Sequence, residues 1–159
     1  MTDAAPEELY SLLVPLREAR LIVPRACVAE VVGYTAPQQV ADAPAWFMGT
    51  LAWNGRQLPV ISFEVAAGQS PPESGGRTRV VVFHAPGGQL QPPYFGILTQ
   101  GFPQLVRVNA GVLTADPEPF PEDGPVICRI RMLNETPMIP DLECLERMIL
   151  SVTSATPEP

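Results

Sequence analysis

Short apolar runs alternate with turn residues along most of the chain, at a spacing that is typical of β-strands. Apolar runs lie at 9–16, 19–23, 28–34, 79–85, 94–98, 104–108, 126–132 and 138–140. Gly, Pro, Asn and Ser residues separate many of these runs, which is the punctuation expected between strands. The pattern predicts about eight to ten short strands and therefore an all-β fold.

The clearest local signal is the dipeptide Asn54-Gly55, which lies between two apolar runs. A two-residue type I′ turn needs a positive φ at both central positions, and Asn and Gly tolerate that conformation best. The cross-strand pairs that this turn predicts are Trp53/Arg56, Leu51/Leu58 and Gly49/Val60. Both faces of the hairpin carry apolar residues, so we expect it to be covered on two sides. Pro59 lacks a main-chain donor and is expected at a sheet edge or a bulge.

Helical signals occur at two places. Asp42 is a suitable cap and Gly49 a suitable end for a one-turn helix before the hairpin. Asp141 is a suitable cap for a second helix, near the C-terminus. The apolar residues that recur at helical spacing after it are Leu142, Leu145, Met148 and Ile149.

Two segments lack the pattern of either element. Residues 66–78 are rich in Gly, Ser, Pro and Gln and predict a solvated loop. Residues 115–125 alternate prolines with acidic residues, which favours extended, polyproline-like backbone.

The charge of the chain argues against two classes of partner. The 159 residues carry a formal net charge of −7, and all ten basic residues are scattered arginines. Nucleic acids and anionic lipid surfaces are bound by clustered basic side chains. We therefore expect no nucleic-acid partner. No continuous apolar run reaches the length of a membrane span, so we expect no direct membrane insertion.

Catalytic and metal-binding patterns are absent from the sequence. His84 is the only histidine, and Cys27, Cys128 and Cys144 have no metal-ligand spacing. Residues 1–8 are acidic and lack the apolar region of a secretory signal. The sequence predicts a cytoplasmic protein that is not an enzyme and has no cofactor or bound metal.

Three segments resemble the CheW-like family of bacterial chemotaxis adaptors. They are Val28-Ala29-Glu30-Val31-Val32-Gly33-Tyr34, the stretch from Ala41 to Glu64, and Phe95-Gly96-Ile97-Leu98-Thr99-Gln100-Gly101. The resemblance implies two packed five-stranded SH3-like barrels with a short C-terminal helix. Composition alone does not distinguish this fold from a β-sandwich. The implied single domain covers 9–150, with one barrel from 9–16 and 95–150, the other from 19–94, and flexible tails at 1–8 and 151–159.

The resemblance also implies a function and a set of contact residues. CheW-like adaptors couple the cytoplasmic tip of a methyl-accepting chemoreceptor to the regulatory domain of a CheA-type histidine kinase, and are thereby recruited to membrane-bound receptor complexes. The receptor-binding positions that the resemblance implies are Val28, Glu30, Gly49, Trp53, Asn54 and Arg56. The kinase-binding positions that it implies are Gly101 and Phe102.

One departure from the family pattern affects Glu30. In the family, the matching glutamate pairs with an arginine in the hairpin turn, and Asn54 occupies that position here. Arg56 is the nearest candidate replacement. This departure, together with Ser62 where an acidic residue is common, indicates a divergent member, for example of a pilus-motility pathway.

An alternative interpretation of the aromatic residues is a small-ligand-binding β-barrel. Trp46, Phe47 and Trp53 are large enough to line an apolar pocket. Core packing is the simpler role for Phe47, whereas the two tryptophans suit either a core or a partner contact.

Overall fold

The structure is a computed structural model that describes residues 9–71, 73–108, 114–115, 124–132 and 135–153. Its strands are β1 (Leu9–Pro15), β2 (Arg20–Pro24), β3 (Val28–Gly33), β4 (Phe47–Trp53), β5 (Arg56–Ile61), β6 (Arg79–His84), β7 (Tyr94–Thr99), β8 (Gln104–Val108), β9 (Thr114–Ala115), β10 (Val126–Arg131) and β11 (Met138–Pro140). Its helices are the one-turn α1 (Phe63–Ala66) and the longer α2 (Leu142–Thr153). The predicted all-β chain with a short C-terminal helix is confirmed.

The first sheet has six strands in the order β8-β1-β2-β11-β10-β9. Neighbouring strands pair antiparallel, except β11 and β2, which run parallel. The apolar cluster of this sheet consists of Leu13, Ile22, Val108 and Ile130. The resemblance implies five strands, and the additional strand β9 contains two residues that pair with the end of β10.

The second sheet has five strands in the order β3-β6-β7-β5-β4, with β5 and β7 parallel. One of its faces buries an aliphatic cluster made of Leu58, Val60, Val80, Val82 and Leu98. The opposite face buries a different set of side chains, because successive strand residues point to opposite sides. Val81 and Val82, for example, are both fully buried, each in a different cluster.

The largest apolar cluster lies between the two sheets. Its members include Val14, Leu21 and Val23 from the first sheet, and Phe47, Ile61, Val81, Phe83, Phe95 and Ile97 from the second. Helix α2 adds Leu145 and Ile149, both fully buried, as the helical spacing predicts. The predicted cap is also present, because the main-chain N–H of Cys144 donates to Asp141 Oδ1 at 3.0 Å. The helix continues to Thr153, into the segment predicted to be a flexible tail.

The predicted hairpin register is confirmed. All three predicted cross-strand pairs of β4 and β5 occur. Asn54 and Gly55 have φ values of 49° and 75°, as a type I′ turn requires. Leu58, Pro59, Val60 and Ile61 are all buried, so β5 is covered on both faces. Pro59 lies in an inner strand rather than at a sheet edge, and the pairing of β5 with β7 begins one residue later, at Val60.

The predicted one-turn helix before the hairpin is wrong. Residues 41–46 form turns, and Asp42 has a φ of 60°. Gly49 lies inside β4 with a φ of 131°, instead of ending a helix. The physical reason is a neighbouring segment. Gln38 and Thr50 exchange main-chain hydrogen bonds of 2.7 and 2.9 Å, which holds Gly49 and Thr50 in a strand.

The predicted division of the chain into two barrels, 9–16 with 95–150 and 19–94, assigns two strands to the wrong sheet. Strand β2 pairs with β1 and β11 in the first sheet, and β7 pairs with β6 and β5 in the second. In each case the predicted boundary separates two strands, β1–β2 or β6–β7, that are consecutive in the chain and pair antiparallel. Residues 1–8, 116–123 and 154–159 lie outside the described residues. Most of the predicted polyproline-like segment, 115–125, is therefore outside them too.

A buried carboxylate joins the two sheets at the turn between β1 and β2. Glu64 in α1 is 1% exposed, and its Oε2 accepts a hydrogen bond from the Arg17 main-chain N–H at 2.7 Å. Glu64 Oε1 and Gln100 Nε2 are buried without a hydrogen-bond partner among the described residues. Burial raises the pKa of the Glu64 carboxyl, although the main-chain bond and the charge of Arg17 lower it. The ionised carboxylate therefore costs stability at this junction.

A second buried carboxylate holds the loop between β6 and β7. Glu146 on α2 accepts hydrogen bonds from the main-chain N–H groups of Gly87 at 2.6 Å and Gln89 at 2.9 Å. Each carboxylate oxygen thus receives one donor. The loop is thereby attached to the helix that covers the cluster between the sheets.

Replacing Gly55 with valine tests the turn. We expect the free energy of unfolding to fall by about 1–3 kcal/mol, because a β-branched residue is strained at positive φ. An added Cβ would meet nothing within 4 Å, so crowding does not contribute. Chemical denaturation measures the change. Gly75→Val is the control, since Gly75 has equally open space and no left-handed φ. Equal losses at both positions would contradict the turn assignment.

Glu64 predicts a specific pH dependence of stability. A carboxyl whose pKa is raised on folding contributes stability that is fully present below its unfolded pKa and is lost as the pH rises through its folded pKa. The free energy of unfolding of the wild type, minus that of Glu64→Gln, should therefore increase between about pH 7.5 and about pH 5. Urea denaturation at both pH values measures this difference. A difference that stays constant or decreases would show that the Glu64 pKa is not raised.

Candidate functional site

The edges of the second sheet meet at Glu30. This residue lies on β3, at one end of the strand order, and Trp53 ends β4, at the other. The indole Nε1–H of Trp53 donates to Glu30 Oε1 at 3.1 Å. Because a side chain of one outermost strand reaches a side chain of the other, the sheet must curve until its two edges lie close together. The bond lies across the seam between these edges.

Further side chains surround this seam at the same end of the barrel. His84 ends β6 and is paired in register with Tyr94, the first residue of β7. The Tyr94 ring packs edge-on against Trp53 with centroids 5.0 Å apart, and lies 5.2 Å from the His84 ring. Arg56 begins β5 directly opposite Trp53. We name Glu30, Trp53, Arg56, His84 and Tyr94 the mouth cluster.

The predicted replacement of the family arginine by Arg56 is not observed. Both Arg56 and Glu30 are described and exposed, yet no ion pair joins them. The partner of Glu30 is the neutral indole of Trp53. An indole N–H can satisfy one carboxylate oxygen without neutralising the charge, so Glu30 remains an exposed anion. Asn54 is exposed at the tip of the adjacent turn.

Two of the predicted receptor-binding residues are less accessible than the resemblance implies. Gly49 is buried, and a Cβ at this position would overlap the main-chain carbonyl of Gln38. The segment that contains Gln38 thus covers the backbone predicted to flank a receptor helix. Val28 is half-buried and packs against the cluster between the sheets. Of the predicted receptor contacts, Glu30, Trp53, Asn54 and Arg56 lie together at one end of the barrel.

The predicted kinase-binding residues lie where the chain crosses from β7 to β8. Phe102 is 64% exposed, and the guanidinium group of Arg79 lies 5.4 Å from its ring centroid. The carbonyl of the preceding residue, Gly101, accepts a hydrogen bond of 2.9 Å from the Thr99 hydroxyl. This bond fixes the backbone just before the exposed aromatic side chain.

Sequence reasoning missed three exposed apolar residues on the first sheet, which are Tyr10, Leu105 and Ile127. Tyr10 is 45% and Leu105 51% exposed, on the adjacent strands β1 and β8. In register, Tyr10 faces Arg107 and Leu105 faces Leu12, so Tyr10 and Leu105 share one face of the sheet. The alternation of side chains along β8 would have placed Leu105 on one face of the sheet. It would not have shown that this face is exposed to solvent.

Opposite ends of β6 carry the two predicted contact regions. Arg79 begins this strand next to Phe102, and His84 ends it in the mouth cluster. At about 3.3 Å per residue, the two ends are roughly 16 Å apart. The structure therefore separates the mouth cluster from the exposed Phe102 surface.

In the part of the chain that the structure describes, the three residues proposed to line a ligand pocket are divided between two apolar clusters. Phe47 is buried between the sheets, Trp46 packs against the same cluster, and Trp53 belongs to the mouth cluster. The interior face of the second barrel is filled by five aliphatic side chains. Surface clefts of about 640, 380 and 400 Å³ among the described residues are lined by none of these three aromatic residues.

Groups suited to catalysis or metal binding are dispersed. Among the described residues, no three His, Cys, Asp or Glu side chains come close enough to hold a metal ion. His84, the only histidine in the sequence, is exposed at the end of β6. All three cysteines are free thiols, and burial raises the pKa of Cys27. In the part of the chain that the structure describes, no helix is both long and apolar enough to cross a membrane.

The chain matches one protein-family model and is similar in fold to a solved structure. The model described as CheW-like domain matches residues 11–136. No curated protein sequence matches the chain. Among solved structures, the scaffolding protein TtCheW from Thermoanaerobacter tengcongensis is similar over 84% of this chain and 89% of that one, with a TM-score of 0.71 and 14% sequence identity. At this identity the similarity shows the fold alone, and it confirms the predicted pair of packed SH3-like barrels.

The bond across the seam can be tested by a double-mutant cycle. Trp53→Phe keeps a ring beside Tyr94 but removes the donor to Glu30, so the free energy of unfolding should fall by about 0.5–1.5 kcal/mol. In a Glu30→Ala background the same change should cost less, since the acceptor is already gone. Trp46→Phe is the control, because Trp46 shares no contact with Glu30 and should show no coupling. Additive effects of Trp53→Phe and Glu30→Ala would mean that the bond contributes nothing.

Proposed function

This chain belongs to the CheW-like domain family, and from that membership we propose that it acts as a non-catalytic scaffold in a bacterial chemosensory pathway. It binds the cytoplasmic tip of a methyl-accepting chemoreceptor through one surface and the regulatory domain of a CheA-type histidine kinase through another. It works in the cytoplasm and is recruited to receptors in the membrane. A pilus-motility pathway is one setting that suits its divergent sequence.

The observation that supports this proposal most directly is the fixed position of Glu30. The family resemblance assigns this residue to the receptor contact. The hydrogen bond from Trp53 restricts the carboxylate, so less side-chain entropy is lost when a partner binds it. The charge remains exposed and un-neutralised, as a carboxylate that recognises a partner requires. Trp53 thus takes the orienting role that an arginine has in other family members.

Phe102 is the centre of the proposed kinase surface. Exposed aromatic residues with a neighbouring arginine are typical of binding hot spots, and Phe102 lies beside Arg79. Tyr10 and Leu105 extend the exposed apolar area on the first sheet. Because the Phe102 surface and the mouth cluster are at opposite ends of β6, one molecule can bind two partners at once. Contacts of this head-to-tail kind can close into rings or extend as arrays.

The alternative of a small-ligand-binding barrel is less well supported. A ligand barrel needs interior space, and aliphatic side chains occupy the interior of the second barrel. Trp46 packs against the cluster between the sheets, and Trp53 packs at the end of the aliphatic cluster that fills the barrel. We therefore retain the scaffold as the single proposed function.

Charge reversal at Glu30 tests the receptor contact. A charge-assisted hydrogen bond at an interface contributes about 1.5–3 kcal/mol, so Glu30→Arg should weaken association with a receptor cytoplasmic fragment at least about tenfold. Isothermal titration calorimetry with the fragment measures the loss, and far-ultraviolet circular dichroism checks the fold.

Two control variants make this result specific. Glu18→Arg reverses an exposed charge on the first sheet, far from the mouth cluster, and should leave receptor affinity unchanged. Phe102→Ala should weaken binding of the kinase regulatory domain while receptor affinity stays normal. Normal receptor and kinase binding by Glu30→Arg would show that this scaffold uses another surface.

A further inference from the structure

All five strands of the second barrel contribute one side chain to the mouth cluster. In the strand order β3-β6-β7-β5-β4 these are Glu30, His84, Tyr94, Arg56 and Trp53. Trp53 and Tyr94 are half-buried and pack against the barrel interior, whereas the other three side chains are exposed. The mouth therefore presents rigid aromatic surface beside a carboxylate.

The carboxylate of Glu30 has unused binding capacity. Its Oε1 accepts the Trp53 indole N–H, and no hydrogen bond or ion pair to Oε2 occurs among the described residues. A carboxylate offers about four lone-pair sites, so most of them remain available. Because the indole bond fixes the orientation of the group, these sites are directed before any partner arrives.

The aromatic rings of the mouth also lack a cation. Elsewhere in the described residues, Arg79 lies over Phe102 and Arg107 over Tyr10, at 5.4 and 5.6 Å from the ring centroids. Within the described ranges, no arginine lies over Trp53 or Tyr94, although Arg56 begins the neighbouring strand. Trp and Tyr rings attract cations through their negative faces, and Trp does so most strongly.

We propose that the mouth cluster is a binding site for the guanidinium group of an arginine on the receptor segment. The proposal rests on the proposed receptor contact at Glu30 and adds the chemistry of the group that is bound. Glu30 Oε2 accepts from the guanidinium, whose plane packs on the face of the Trp53 ring, beside the edge-on Tyr94 ring.

Arginine suits this site better than lysine for geometric reasons. Its guanidinium group is planar and weakly hydrated, so it can stack on an aromatic ring while donating to a carboxylate in its own plane. A lysine ammonium is compact and strongly hydrated, and therefore loses more hydration in the same contact. Among the mouth residues Arg56 is the competing positive charge, and an incoming guanidinium must gain the direct bond to Glu30 that Arg56 does not make.

The site can be tested on the full chain with small probes. N-acetyl-arginine amide is titrated into ¹⁵N-labelled protein, and the indole N–H resonance of Trp53 reports binding. N-acetyl-lysine amide tests the preference for a guanidinium, and the neutral N-acetyl-citrulline amide tests the need for charge. We expect a saturable shift with the arginine probe, a weaker response to lysine, and none to citrulline.

Variants connect the shift to Glu30. Glu30→Gln keeps an acceptor for the indole but removes the charge, and should weaken arginine-probe binding about tenfold. Glu18→Gln removes a distant charge and should leave it unchanged. Absence of a saturable shift, an equal response to citrulline or lysine, or full binding by Glu30→Gln would each overturn the proposal.

This test and the receptor experiment can fail independently. If Glu30→Arg abolishes receptor association but the arginine probe does not bind, the receptor contact stands and its guanidinium chemistry is wrong. If the probe binds at the mouth while Glu30→Arg leaves receptor association intact, the arginine site exists but does not serve the receptor.

Discussion

Strands with two apolar faces can be buried only between two layers, and this requirement governs the architecture of the protein. β5, β6 and β7 each send alternate side chains into the barrel interior and into the cluster between the sheets. A single sheet would expose one of these faces to water, at a cost of roughly 25 cal/mol per Å² of apolar surface. The first sheet and α2 cover the second face. The two barrels therefore share one apolar cluster.

The rolled geometry of the second sheet is what creates the mouth cluster. Closing the sheet brings β3 next to β4, although these strands are at opposite ends of the strand order. The seam is also where Trp53 reaches Glu30. The curvature that encloses the aliphatic cluster thus also positions a charged side chain at the sheet edge. The Phe102 surface has a different origin, in the connection that crosses from one sheet to the other.

Polar groups buried between the layers set the relative positions of the elements. Glu146 receives two main-chain donors from the β6–β7 loop, and Glu64 receives one from the β1–β2 turn. Glu64 is less completely satisfied, because its Oε1 has no hydrogen-bond partner among the described residues. Burial raises the pKa of its carboxyl group. Apolar contacts between sheets permit small sliding movements, whereas such directed bonds specify one arrangement.

Local chemistry was enough to predict the elements whose geometry depends on neighbouring residues in the chain. The Asn54-Gly55 turn determines the register of its hairpin, because only a few residue types adopt positive φ readily. Asp141 and the helical spacing after it likewise predicted α2 and its buried face. The tertiary structure alone decided the rest: the assignment of β2 and β7 to sheets, the burial of Gly49 under Gln38, and the pairing of Glu30 with Trp53 instead of Arg56. These outcomes depend on contacts between residues far apart in the chain, and local periodicity and turn chemistry contain no information about which distant segments will meet.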